Sequence, residues 1–222
     1  MRMDRRNLLA ASAAALALPG RSAQAASRIT LVVSKSGHAG TFPTIAAALD
    51  RARMLTRAAH IRVQPGVYAE KLTLDLPGLH LSGAGPSSIL SFGAAAGLTG
   101  PEGRKWGTGG SATLMVTAPG VILSNLTIRN SFDYLANART PTVDGAQAVA
   151  LSIARGADRA IVRGCLIESY QDTLYVQESC RAWFTGCTIS GNVDFIFGGA
   201  TALFEGCEIR SRFVPGAPIQ GF

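Results

Sequence analysis

Charge is scarce in this chain: 16% of its 222 residues are Asp, Glu, Lys or Arg, against 47% hydrophobic ones. That composition excludes a disordered, solvating chain and leaves enough apolar surface to bury in one domain. Of the formal net charge of +7, residues 1–25 carry +3. The remainder forms no dense stripe of Lys and Arg, so nucleic acid is not an expected partner, whereas an acidic polymer suits the mild positive bias. There is no run of about 20 apolar residues, which excludes an ordinary membrane-spanning helix. Histidine is limited to His38, His60 and His80, all early and without ligand spacing, and the four cysteines include no close C-x-x-C pair. No metal site is therefore expected, and the histidines read as surface or packing residues. A G-x-S-x-G nucleophile elbow is also absent, which excludes the common serine-esterase arrangement.

What is present begins with an address. Residues 1–25 have a basic start, an apolar run over Leu8–Leu18 and a small-residue cleavage site ending at Ala25. This is the pattern of an export signal, and Arg5-Arg6 before Asn7-Leu8-Leu9 points to the twin-arginine type over an ordinary secretory signal. Residues 26–222 then form one exported domain, periplasmic or extracellular, with no membrane attachment after signal removal. Such a compartment permits disulfides.

The second half repeats. Residues 160–167, 182–189 and 202–209 each read small, apolar, apolar, polar, Gly, Cys, any residue, Ile, and the cysteines Cys165, Cys187 and Cys207 lie 22 and 20 residues apart. Residues 121–128 look like an earlier copy, 39 residues upstream, or about two periods. Residues 79–83 are a fainter relative. A period near 20 made of short β-branched stretches predicts an all-β parallel β-helix, a single-stranded solenoid whose coils stack about 4.8 Å apart. The one helical pattern, Phe42–Arg53, predicts a short N-terminal capping helix. Stacking brings Cys187 near both Cys165 and Cys207. Spacing permits a bridge to either, or a simple column of small buried side chains.

Asp172 follows Cys165 by seven residues, and Asp194 follows Cys187 by seven. Equal offsets on neighbouring coils place the two carboxyl groups at one station. Two carboxylates that close cannot both ionise freely, so one serves as proton donor while the other stays a base or nucleophile. Tyr170, Tyr175, Phe195 and Phe197 surround them with rings suited to a sugar.

The stretches QAVAL at 147–151, YQDTLY at 170–175 and GNVDFIFG at 191–198 resemble the signature motifs of the pectin methylesterase (pectinesterase) family. PGVYAE at 65–70 and WGT at 106–108 with Ala112-Thr113 add to the likeness, which runs in order from about residue 28 onward. The resemblance implies a right-handed parallel β-helix and hydrolysis of galacturonate methyl esters in pectin, giving pectate and methanol without cofactor or metal. By motif, Asp194 would be the nucleophile, Asp172 the acid and then base, and Gln147 and Gln171 the donors to the oxyanion. Thr113, Tyr175, Val193 and Phe197 would line the substrate cleft. The resemblance further implies a Cys187–Cys207 disulfide and a monomer.

The family's catalytic arginine lies in a later Gly-Arg-Pro-Trp stretch, and this sequence stops at Phe222 before one. A C-terminally truncated, less active domain is therefore expected. Arg210 and Arg212 come too early for that motif and take no catalytic role on this reading. The motifs of β-helical pectate lyases and polygalacturonases are missing. The alternative of another class is a non-catalytic, polyuronate-binding β-helix.

Overall fold

The computed structural model describes residues 28–55 and 58–213, so the export signal expected over residues 1–25 lies outside the described residues. Three parallel sheets stack strand on strand; Ile29–Val33, Thr41–Phe42 and Ala59–Val63 all lie in the first, and from Ala59–Val63 onward the chain visits the three in strict rotation. One complete coil runs through Ala160–Arg163 in the first sheet, Leu166–Glu168 in the second and Leu174–Val176 in the third. The next runs through Arg181–Thr185, Thr188–Gly191 and Ile196–Gly198, directly on top of it. Thr201–Glu205 and Glu208–Ser211 begin another. The molecule is a parallel β-helix.

Side-chain alternation explains the inside. In Ala160–Arg163 and Arg181–Thr185, every second residue is buried, and Val162, Phe184 and Phe204 fall in register down one column. The rings of Phe184 and Phe204 stack 4.9 Å apart, close to the spacing of adjacent strands. Ile128, Ile167, Ile189 and Ile209 form the matching column in the second sheet. These columns are the repeat seen in the sequence.

The upstream copy corrects one expectation. Ile122 pairs directly with Ile161, and Ile128 with Ile167, so the 39-residue step is a single coil and not two. The surplus forms an excursion after Asn130 that includes the short helix Tyr134–Arg139, capped by the Asp133 carboxylate. The faint relative is a true coil as well: His80, Leu81 and Ser82 pair with Ile122, Leu123 and Ser124.

The capping helix spans Ile45–Arg53, three residues shorter at its start than the pattern predicted. Thr44 is its N-cap, accepting the Ala47 N–H at 3.1 Å, and Pro43 favours extended backbone at Phe42, which lies in the strand Thr41–Phe42. Glu70, in the link between the strands Gly66–Ala69 and Leu72–Leu74, supplies a second cap, its two oxygens accepting the N–H groups of Ile45 and Ala46 at 2.9 and 2.8 Å. Ile45, Ala48, Leu49 and Ala52 are buried against Ile29–Val33 and Ala59–Val63, closing the N-terminal end of the solenoid. His60 and His80 stack on the outside of the first sheet 4.1 Å apart, each bonded to a serine, as packing residues.

Candidate active site

The third sheet carries the site. Its outward column on successive coils is Met115, Ser152, Tyr175 and Phe197, and the last two rings stack 4.3 Å apart with an angle of 7°. The turns entering these strands hold the two aspartates. In a parallel ladder an N–H bonds to the carbonyl preceding its partner residue. The Asp172 N–H donates to Val193 O at 3.0 Å, and the Leu174 N–H to Phe195 O at 2.9 Å, so Asp172 stands opposite Asp194. The same rule applied to Ala148 N–H and Gln171 O, 3.1 Å apart, sets Gln147 opposite Gln171. All four residues of the predicted constellation therefore stand at one end of the third sheet.

Both aspartates have left-handed backbones, with φ of 64° at Asp172 and 45° at Asp194. Such a conformation at a non-glycine residue costs roughly 1–2 kcal/mol and persists where its surroundings hold it. Gly191 permits this tight turn: a Cβ there would strike the Phe195 side chain and the Tyr170 carbonyl. The two carboxyl groups differ in setting. Asp172 is 6% exposed, while Asp194 faces solvent. Burial, and secondarily the charge of Asp194, push the Asp172 carboxyl up to about 6. The pair is thus split into a buried carboxyl that holds its proton more tightly than usual and a solvent-exposed one, an asymmetry that can support acid–base chemistry.

The cleft residues divide. Tyr175 and Phe197 lie on the outer face, and half-buried Val193 adjoins Asp194. Thr113 does not join them. It is fully buried, and its hydroxyl lies 3.0 Å from Arg129 O and 3.2 Å from Phe92 O, beneath the cleft floor. Its side chain therefore lies away from the outer face that carries Tyr175 and Phe197, where it supplies a donor to buried backbone carbonyls.

All four cysteines are thiols in this structure, and Cys187 and Cys207 lie on adjacent rungs, the Glu208 N–H donating to Cys187 O at 2.8 Å. Among the described residues no group of His, Cys, Asp and Glu could hold a metal ion, and no helix is long and apolar enough to cross a membrane.

Asn130 is a supporting residue that sequence reasoning missed. Buried at the end of the strand Thr127–Asn130, its Nδ2 donates toward Ala94 O, Ser111 O and Val149 O at 2.8–3.1 Å. Its Oδ1 accepts the Phe132 N–H at 3.0 Å. One amide thus ties the loop before the third sheet to the segment that delivers Gln147. Only the coincidence of an Asn with a strand end hinted at this.

A family model for Pectinesterase matches residues 30–217. Pectinesterase A of Dickeya dadantii (strain 3937) is 41% identical over 198 residues, covering 86% of this chain and 54% of that protein. The structure of pectin methylesterase PemA from Erwinia chrysanthemi superposes with a TM-score of 0.81 at 40% identity, over 87% of this chain and 58% of that one. A pectin methylesterase in complex with a hexasaccharide gives the same TM-score, identity and coverage. The chain thus spans a little over half the length of these relatives. With the motifs, the coil register and these likenesses in agreement, the chain belongs to the pectinesterase family.

Proposed function

We propose that this protein hydrolyses methyl esters of galacturonate in pectin, releasing methanol and leaving pectate. The observation that carries the reading is the rung shared by Asp172 and Asp194, with only the former buried. The exposed Asp194 carboxylate attacks the ester carbonyl. The tetrahedral oxyanion takes hydrogen bonds from Gln147 and Gln171. As the intermediate collapses, Asp172 gives its proton to the departing methoxide, and an acyl-enzyme anhydride remains. Asp172, now ionised, removes a proton from water, and the hydroxide attacks the anhydride to free both the galacturonate and Asp194. No cofactor takes part.

The stacked rings of Tyr175 and Phe197 offer a flat apolar surface for a pyranose beside the carboxylates. The relative bound to a hexasaccharide supports an oligosaccharide ligand for this cleft. Export through the N-terminal signal belongs to the same proposal, since pectin lies outside the cytoplasm, as does a monomeric state. So does a Cys187–Cys207 bridge formed in an oxidising compartment, which mass analysis of the unreduced, exported protein would reveal.

Methanol release from esterified pectin by the parent chain and by Asp194→Asn and Asp172→Asn tests the reading. Activity in the parent and its loss in both variants, with pectin binding retained, is the expected outcome. One observation favours a second reading: among the described residues neither aspartate is ion-paired to a cation. Pectin binding that is unaffected by Asp194→Asn, with no methanol from any form, would select a non-catalytic polyuronate-binding β-helix.

A further inference from the structure

Arg212, the residue after the strand Glu208–Ser211, contacts the approaches to both aspartate-bearing turns. The Arg212 N–H donates to Gly191 O at 2.6 Å, and Arg212 Nη1 donates to Ser169 O at 3.0 Å. The guanidinium carbon lies 4.0 Å from the centre of the Tyr170 ring. Tyr134, from the helix in the excursion, stacks on the same ring at 5.3 Å with an angle of 7°. Two groups that close and both over the ring cannot share one face, so Tyr170 is sandwiched. It offers no platform to a sugar, unlike Tyr175. The Tyr170 carbonyl in turn accepts the Asn192 N–H at 2.8 Å.

Ser169 and Tyr170 lie three and two residues before Asp172, and Gly191 and Asn192 lie three and two before Asp194. One residue therefore grips the approach to each aspartate. These are the turns that hold both aspartates at positive φ, a conformation that needs external support. Arg212 forms no ion pair with either carboxylate. We propose that Arg212 is a positioning residue: its backbone N–H extends the ladder to Gly191, and its guanidinium, by bonding Ser169 and pressing Tyr170 onto Tyr134, locks the Asp172 turn in register with that rung. A planar fork that stacks and donates at once is specific to arginine, so lysine is no substitute.

This inference rests on the esterase reading, and the test separates the two. In the full chain, Arg212→Ala and Arg212→Lys should each lower kcat for methanol release on the order of 10- to 100-fold, because small misplacement of reacting groups is costly. KM should stay within about twofold, since Arg212 does not touch substrate. Added guanidinium should restore part of the rate to Arg212→Ala. Hydrogen exchange at the amides of Asn192 and Asp172 should quicken in both variants while the Phe184 and Val162 amides stay protected. An unchanged kcat, a rise in KM alone, or unchanged exchange at those two amides would overturn the proposal. Asp194→Asn in parallel judges the esterase reading: if that variant keeps full activity, the reading falls, and the exchange experiment still decides whether Arg212 is the clamp.

Discussion

Asp172 and Asp194 face each other across one coil-to-coil step with matching left-handed backbones, yet one carboxyl is buried and the other lies in solvent. Backbone register makes them equivalent, and their surroundings make them chemically different.

That difference predicts a titration. Burial and the neighbouring charge hold the Asp172 carboxyl at about 6, above the value of about 4 for an unfolded aspartate. The folded protein therefore binds the proton more tightly than the unfolded chain. The stabilising contribution of that proton is complete below about pH 4 and is lost as pH rises through about 6. Carboxyl carbon NMR should show Asp172 titrating near 6. Asp194→Asn should lower that midpoint by removing a like charge, and an unmoved midpoint would deny electrostatic coupling.

Gln147 and Gln171 are paired across the ladder beside the aspartates. Replacing either by leucine should lower kcat about 100- to 1,000-fold, the usual cost of losing one oxyanion donor, with KM little altered. Steady-state methanol release checks this. A loss confined to KM would make them ground-state binding residues.

Thr113 and Asn130 should behave as structural residues. Thr113→Val and Asn130→Ala each leave buried backbone carbonyls without their donor, at a cost of about 1–3 kcal/mol for each group orphaned. Urea unfolding should show the larger loss for Asn130→Ala. Substrate KM for Thr113→Val should stay at the parent value, and a selective KM increase would return Thr113 to the cleft.

Glu70 caps the first helix from the link between two strands. Glu70→Ala should destabilise the protein by about 1 kcal/mol, since two N–H groups at a helix start lose a charged acceptor. The change lies far along the chain from the aspartates, so a lowered melting temperature with unchanged kcat is expected.

The coil repeat was legible because in-register stacking preserves position along each strand. Gly-Cys-x-Ile recurs where Ile167, Ile189 and Ile209 stack, and the equal seven-residue offsets of Asp172 and Asp194 carry straight into the ladder. The rule broke where a coil carries an insertion. The 39-residue step to Cys165 looked like two coils, but a solenoid tolerates a long loop between strands without shifting register. The burial of Thr113 was not legible for a related reason: a motif records which residue stands at a position, not which way its side chain turns.

Local pattern by itself determined the β-helix and the pairing of the aspartates, because each is a consequence of periodic spacing, while the glutamines beside them were read from motif resemblance. Only the tertiary structure decided that Asp172 is the buried member, that Asn130 ties two loops together and that Arg212 reaches back to Tyr170. Those outcomes depend on which distant segments exclude water from a given carboxyl or supply its neighbour with a donor, and no repeat in the chain encodes such contacts.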